Sequence, residues 1–64
     1  MAKVALEVGQ TLMFREPLTD DEREEREERC IVLELRGDRV LVEFICAMSI
    51  KPASVYLVAD LVAV

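Results

Sequence analysis

The chain has 64 residues, which is enough for one domain, 1–64, with a thin core. Hydrophobic residues make up 53% of it, the net charge is −5, and no apolar run approaches the roughly 18 residues of a membrane span. Residues 1–14 lack the continuous apolar core of a signal peptide, so we expect a soluble, cytoplasmic protein. The chain has no His, the commonest general base near neutral pH, so we do not expect an enzyme.

The apolar content exceeds what one small core can hide. A domain of this length buries only about 60% of the surface that its unfolded chain exposes. We therefore expect self-association, as a homo-oligomer or an accessory subunit. The alternative is that the excess consists of the exposed apolar atoms found on any monomer.

The first predicted element runs from Lys3 to Phe14 and is extended, with a break near Gly9. An acidic loop, defined here as residues 16–29, follows it. This loop holds eight acidic and three basic residues, so its net charge of −5 accounts for the charge of the whole chain.

The acidic loop carries signals of a short helix. The segment 19–22 (TDDE) fits the capping-box pattern, and the pairs Glu22–Arg26 and Glu25–Arg29 have favourable i,i+4 spacing. Residues 19–29 contain no apolar side chain, however, and a helix without an apolar stripe cannot dock on a core. We predict a solvated loop with one or two helical turns.

The acidic loop is also the best candidate for contact with a partner that has a basic surface. The residues predicted to make that contact are Asp20, Asp21, Glu24, Glu25 and Glu28. The alternative is that the charge only keeps an apolar domain soluble. The loop lacks the alternating spacing and turn glycine of a calcium site, so we predict no metal site and no cofactor.

The clearest pattern is a β-hairpin from Cys30 to Cys46, with a type II′ turn at Gly37-Asp38. Counting from the turn pairs Leu35 with Val40, and alternation then predicts two faces. The predicted core face carries Ile31, Leu33, Leu35, Val40, Val42 and Phe44. The predicted mixed face carries Val32, Glu34, Arg36, Arg39, Leu41, Glu43 and Ile45.

The same counting places Cys30 on the mixed face and Cys46 on the core face. A disulfide between them is then geometrically poor. Cys30 follows Arg29, which would lower the thiol pKa if it lay close, but the neighbouring acids oppose this, and we expect an inert thiol.

The C-terminal part begins with a turn at Lys51-Pro52. A strand over Val55–Val58, a helical turn over 59–61 and a last strand over Val62–Val64 follow. About five short strands are typical of a small all-β barrel. Exposed apolar edges pair with other strands, and the residues predicted for contact between copies are Val55, Leu57, Val62 and Val64.

This order of elements resembles the SH3-like barrel. A first strand at 11–14, a long loop at 15–29, the hairpin, a helical turn and a last short strand follow one another as in that fold. The fold hosts many unrelated functions, so the resemblance implies architecture and not activity. Members that grip proline-rich peptides use aromatic residues on the long loop, and this loop has none.

Two segments are also similar to the carbon storage regulator family of dimeric RNA-binding repressors. They are 8–13 (VGQTLM) and 31–40 (IVLELRGDRV). Where that family has basic residues, this chain has Leu6-Glu7 and, after its later strand, 56–58 (YLV). Basic phosphate contacts supply most non-specific affinity for nucleic acid, so we do not expect RNA binding.

The sequence therefore predicts a non-catalytic protein-interaction or assembly module whose acidic loop faces a partner. One alternative is a dimer resembling the carbon storage regulators but without their basic RNA surface. Another is an enzyme whose site forms only in an oligomer.

Overall fold

A computed structural model describes residues 6–45 and 51–64, which form one antiparallel sheet with a short helix and a 3-10 turn. The elements are β1 (Thr11–Phe14), α1 (Asp20–Glu25), β2 (Arg29–Arg36), β3 (Arg39–Phe44), β4 (Ser54–Leu57), the 3-10 turn (Val58–Asp60) and β5 (Leu61–Ala63). The predicted small all-β fold of about five strands is confirmed. Cys46 and residues 3–5 of the first extended segment lie outside the described residues.

The strand order across the sheet is β4-β3-β2-β1-β5, and the sheet is strongly curled. Adjacent strands are about 4.8 Å apart, so β1 and β4 would be separated by about 14 Å in a flat sheet. The rings of Phe14 on β1 and Tyr56 on β4 instead have centroids 5.0 Å apart. The concave face therefore folds over itself and encloses the core.

The predicted closed barrel needs a correction, because β4 and β5 lie at opposite edges of the hydrogen-bonded sheet. These strands have four and three residues, and the 3-10 turn takes up all the chain between them. Within the described residues no ladder joins them. Curling encloses the core, and no strand of residues 6–45 and 51–64 pairs with the outer edge of β4 or of β5.

The core is wholly apolar. No buried polar or charged residue is present among the described residues. The buried side chains come from four of the strands and from the acidic loop: Leu12, Phe14, Leu18, Cys30, Val32, Val40, Val42, Phe44 and Leu61. Leu6, Tyr56 and Val58 pack against them while remaining partly exposed.

The turn of the hairpin agrees with the prediction. Gly37 has φ +66°, and no residue other than glycine has positive φ in the described chain, as a type II′ turn at Gly37-Asp38 requires. Leu35 pairs with Val40 as predicted. The break near Gly9 is also present, with φ +89° at Gly9 and a bond from the Gln10 N–H to the Glu7 carbonyl.

The predicted register of β2 holds from Arg36 to Glu34 and is wrong beyond the bulge, as is the predicted core face of this strand. The register shifts between Val32 and Glu34, so Leu33 is an extra residue in a β-bulge, and Val32 rather than Leu33 pairs with Val42. Cys30, not Ile31, then pairs with Phe44.

One inserted residue exchanges the two faces of the strand. On the far side of the bulge from the turn, Cys30 and Val32, predicted on the mixed face, are fully buried, whereas Leu33, predicted in the core, is exposed and Ile31 is half-buried. Leu35 keeps its predicted register opposite Val40 but is exposed, so its predicted place in the core is also wrong. The predicted core residues of β3, Val40, Val42 and Phe44, are confirmed.

Candidate protein-interaction surfaces

Helix α1 begins at the predicted capping box. The Thr19 hydroxyl accepts a bond from the Glu22 N–H at 3.2 Å, and the Glu22 carboxylate accepts one from the Thr19 N–H at 2.9 Å. That backbone bond and, after it, the Thr19 hydroxyl and the Arg26 guanidinium lower the pKa of Glu22. Acids at Asp20 and Asp21 occupy the first turn, where the helix dipole favours negative charge.

Arg26 ends the helix and ties it to the core. Its guanidinium bonds to Glu22 and lies 4.8 Å from the ring centroid of Phe14 and 5.3 Å from that of Tyr56. Such cation–π contacts contribute roughly 0.5–1 kcal/mol when partly exposed. The predicted Glu22–Arg26 pair is thus confirmed.

The other predicted pair of the loop, Glu25–Arg29, does not form. Helix α1 ends at Glu25 and Arg29 already belongs to strand β2, so the two residues never share a helical face. The ion pairs of the described residues do not include them.

The prediction that the helical segment cannot dock on the core overlooked the residue just before it. Leu18 precedes the N-cap Thr19 and is 7% exposed within the main core cluster. The helix itself buries no residue. The acidic loop is therefore held at one end by an apolar anchor and at the other by a guanidinium stacked on aromatic rings.

Lys51 supplies a third attachment from a remote part of the chain. Its ammonium lies 3.2 Å from the Glu27 carboxylate and also donates to the backbone carbonyl of Arg23. The Lys51 side chain is only 11% exposed. Because it satisfies a carbonyl near the end of α1, Lys51 fixes the loop to the segment that leads into β4.

The predicted partner-binding acids divide into two groups. Glu28 is paired with Arg23 at 3.2 Å, so its charge is compensated within the loop. The other four predicted acids are exposed and have no ion-pair partner in the described part of the chain: Asp20, Asp21, Glu24 and Glu25. They stand at helix positions i, i+1, i+4 and i+5, which form one face, and we call them the acidic helix face.

A shallow cleft of about 270 Å³ lies between the acidic loop and the 3-10 turn. Phe14, Pro17 and Leu18 form its apolar part. Its charged lining consists of Arg15, Glu16, Glu22, Arg26 and Asp60. Because acidic and basic side chains are mixed there, the cleft does not form a second surface with a single sign of charge.

The four residues predicted for contact between copies fall into two separate places. Val55 and Leu57 are on β4 at one edge of the sheet, with exposed fractions of 38% and 39%. Val62 is half-buried on β5 at the opposite edge, and the exposed Val64 follows that strand. They therefore do not form one surface.

Cys30 has no chemical role in either surface. The thiol is unpaired and fully buried, with its sulfur 3.7 Å from the Leu12 carbonyl oxygen. Burial raises the pKa of the Cys30 thiol to about 11, so the thiolate is scarce at neutral pH. This is the inert thiol expected from the sequence, although it lies in the core rather than on the mixed face.

The sequence did not predict the contacts by which Leu18, Arg26 and Lys51 anchor the loop, and only Leu18 had a local signal. Leu18 stands directly before a capping box, where an apolar residue often packs on the helix or core. The aromatic partners of Arg26 and the loop partners of Lys51 are remote in sequence. No local pattern reports contacts of that kind.

Protein-family models, curated proteins and solved structures were all compared with this chain, and none of them matches. Among residues 6–45 and 51–64, no group of three or more His, Cys, Asp or Glu side chains could hold a metal ion. No helix of the described chain is long and apolar enough to cross a membrane.

Proposed function

We propose that this protein is a non-catalytic interaction or assembly module whose acidic helix face docks on a basic surface of another protein. The observation that carries this proposal is an acidic face without ion-pair partners among residues 6–45 and 51–64, on a helix that is fixed to the core. Leu18, Arg26 and Lys51 hold the loop, while Asp20, Asp21, Glu24 and Glu25 are exposed.

The distribution of charge within the loop supports binding over simple solubility. Asp20 with Glu24, and Asp21 with Glu25, are like-charged i,i+4 pairs, each of which destabilises a helix by roughly 0.2–0.5 kcal/mol. The nearby bases Arg23 and Arg26 are engaged by other acids. The helix dipole favours Asp20 and Asp21 in the first turn, but Glu24 and Glu25 lie beyond it and gain little from it. A solubilising loop needs no ordered acidic face, whereas docking on a basic surface needs these charges in fixed positions.

We further propose an SH3-like architecture and a cytoplasmic setting. The strand order β4-β3-β2-β1-β5 and the single 3-10 turn before the last strand support the first. The unpaired, reduced Cys30 is compatible with the second, since reducing compartments keep thiols free.

A lysine-rich peptide is the probe that tests the acidic helix face. It is titrated into the protein by calorimetry at low and at moderate salt, and binding should weaken as salt screens the charges. The variant Glu24→Gln/Glu25→Gln should bind about fivefold more weakly, as expected for the loss of two exposed charge pairs worth roughly 0.5 kcal/mol each.

The matched control is Glu7→Gln/Glu43→Gln, which removes the same charge from exposed positions outside the acidic loop. This control should bind the peptide nearly as well as the parent protein. Equal losses in both double variants would show that only net charge matters. That result, or no binding in the parent protein, would reject the proposal.

A further inference from the structure

We propose that the open edge of β4 pairs with β4 of a second copy, antiparallel and about a two-fold axis at Tyr56, which joins the two sheets. This inference rests on the proposed role as an assembly module and names the partner and the strand that assemble. The pairing uses backbone groups and side chains that the described fold leaves available.

The hydrogen bonds of β4 show which of its backbone groups face outward. The Val58 N–H donates to the Asp38 carbonyl at 2.9 Å, and Tyr56 is in register with Val40. Alternation then directs the N–H and C=O of Tyr56 and the N–H of Val58 toward β3, and the N–H groups of Val55 and Leu57 with the Val55 C=O toward the open edge. The Leu57 carbonyl is the N-cap carbonyl of the 3-10 turn and accepts the first bond of that turn. Within residues 6–45 and 51–64, neither outward N–H has an acceptor.

Two-fold symmetry matches this edge to itself. With Tyr56 opposite the partner's Tyr56, Val55 lies opposite the partner's Leu57, and each such pair exchanges two N–H···O bonds. In one of these two bonds the Leu57 carbonyl accepts through its second lone pair, since the first serves the 3-10 turn. Val55 and Leu57 are on the same, outer face, in register with Leu41 and Arg39 of β3. Their side chains would therefore meet those of the partner and become buried.

The β5 edge is a poorer candidate for the same contact. The Leu61 N–H already donates to the Val58 carbonyl, which leaves that edge with fewer free donors. The side chain of Leu61 is 5% exposed, so pairing would bury little more of it. The β4 edge has both the free donors and the exposed apolar side chains.

The β4 edge also lacks the features that keep natural edges monomeric. Soluble proteins protect open edge strands with charges, Pro or bulges. The segment 53–59 (ASVYLVA) has neither a charged residue nor a Pro, and the ladder between β3 and β4 runs without a register shift. Such an edge favours pairing with another strand.

The composition of the chain favours a second copy as the partner. Hydrophobic residues make up 53% of it, more than the thin core of a domain this small can hide. Val55 and Leu57 are among the large apolar side chains that the described fold leaves exposed. Pairing through the β4 edge would cover these two side chains on both copies.

Charge determines how this pairing responds to salt. Each copy carries −5, and the acidic loop reaches β4 because Arg26 stacks on Tyr56. The two-fold axis would bring both acidic loops to the same side of the joined sheet, where they repel each other. Dimer formation should therefore strengthen as salt is added, opposite to the peptide binding described above.

The test combines sedimentation equilibrium with amide hydrogen exchange, from dilute to millimolar protein and at two salt concentrations. We expect a monomer–dimer equilibrium that salt favours. Exchange of the Val55 and Leu57 amides should slow as concentration rises, while the Tyr56 amide is protected throughout by β3. The variant Val55→Lys should weaken dimerisation by at least about tenfold, because it places a charge in the joined sheet.

The control is Val64→Lys, which adds the same charge at an exposed apolar position beside the other edge, and it should dimerise like the parent protein. A monomer at all concentrations, or concentration-dependent protection at Ala63 instead of Val55 and Leu57, would overturn the inference. Neither result bears on peptide binding by the acidic helix face, so the two proposals fail separately.

Discussion

The β2–β3 hairpin and the acidic loop are held in place by different means. The hairpin sends five fully or nearly fully buried side chains into the core, from Cys30, Val32, Val40, Val42 and Phe44. Within residues 16–29, only Leu18 is buried. The other attachments of the acidic loop are the contact of Arg26 with the Phe14 ring and the ion pair of Lys51 with Glu27.

This difference separates the part of the chain that specifies the fold from the part that can vary its chemistry. Substitutions in the hairpin change packing directly, whereas the acidic helix face makes no contact on which the core depends.

Leu18→Ala should destabilise the protein by about 3 kcal/mol, within the usual range for a buried leucine truncated to alanine. Denaturant unfolding followed by circular dichroism measures the change. A loss below about 0.5 kcal/mol, typical of a surface site, would show that the acidic loop is not anchored through this residue.

Val32→Ala should cost about 2 kcal/mol, since it opens a cavity in a fully buried site. The neighbouring change Leu33→Ala removes more side-chain volume but should cost less than about 1 kcal/mol, because Leu33 lies exposed in the bulge. The reverse order of these two unfolding free energies would mean that β2 has the register predicted from the turn alone.

The bulge shows where sequence patterning of the hairpin stops being informative. The turn at Gly37-Asp38, the capping box and the succession of the elements along the chain all follow from local residue types. Residues 30–33 (CIVL) are apolar in both alternating frames, so either face of β2 could enter the core. Only the closure of the sheet over Tyr56 and Phe14 selects one frame, and that contact is long-range.

For the candidate surfaces too, the sequence predicted which residues are exposed but not how they are paired or where they lie in the sheet. The acids that face solvent were found from composition, and the apolar positions at the sheet edges were found from the C-terminal strands. That Glu28 is internally paired, and that Val55 and Val62 lie at opposite edges, depends on tertiary structure.

Arg26→Lys should destabilise the protein by about 1 kcal/mol although it keeps the charge. Lysine lacks the planar guanidinium that stacks on Phe14 and Tyr56 while bonding to Glu22. Thermal and denaturant unfolding measure the loss. The matched change Arg39→Lys, at an exposed site on β3, should leave stability nearly unchanged. Equal losses of stability from the two changes would show that the contact of Arg26 with the aromatic rings does not stabilise the protein.

The smallest effect expected is a dependence of helix α1 on acid. The pKa of Glu22 is lowered in the folded protein, so its ionised form stabilises the fold above the pKa of the unfolded chain. That contribution should be lost as pH falls below about 4.5 and through the lower folded value. Unfolding free energies measured against pH should show this loss, and Glu22→Gln should reduce it. If Glu22→Gln lost as much unfolding free energy at low pH as the parent protein, the loss would not come from Glu22.

The central claim is that a fixed acidic helix face, rather than net charge alone, binds a basic partner. Its most direct test is the affinity of Arg26→Lys for the lysine-rich peptide, because this variant keeps every charge and loosens only the attachment of the loop. The account predicts weaker peptide binding than in the parent protein, under conditions where both remain folded. Unchanged affinity would contradict this claim, because it would show that the loop contributes only its charge and that its fixed position does not matter.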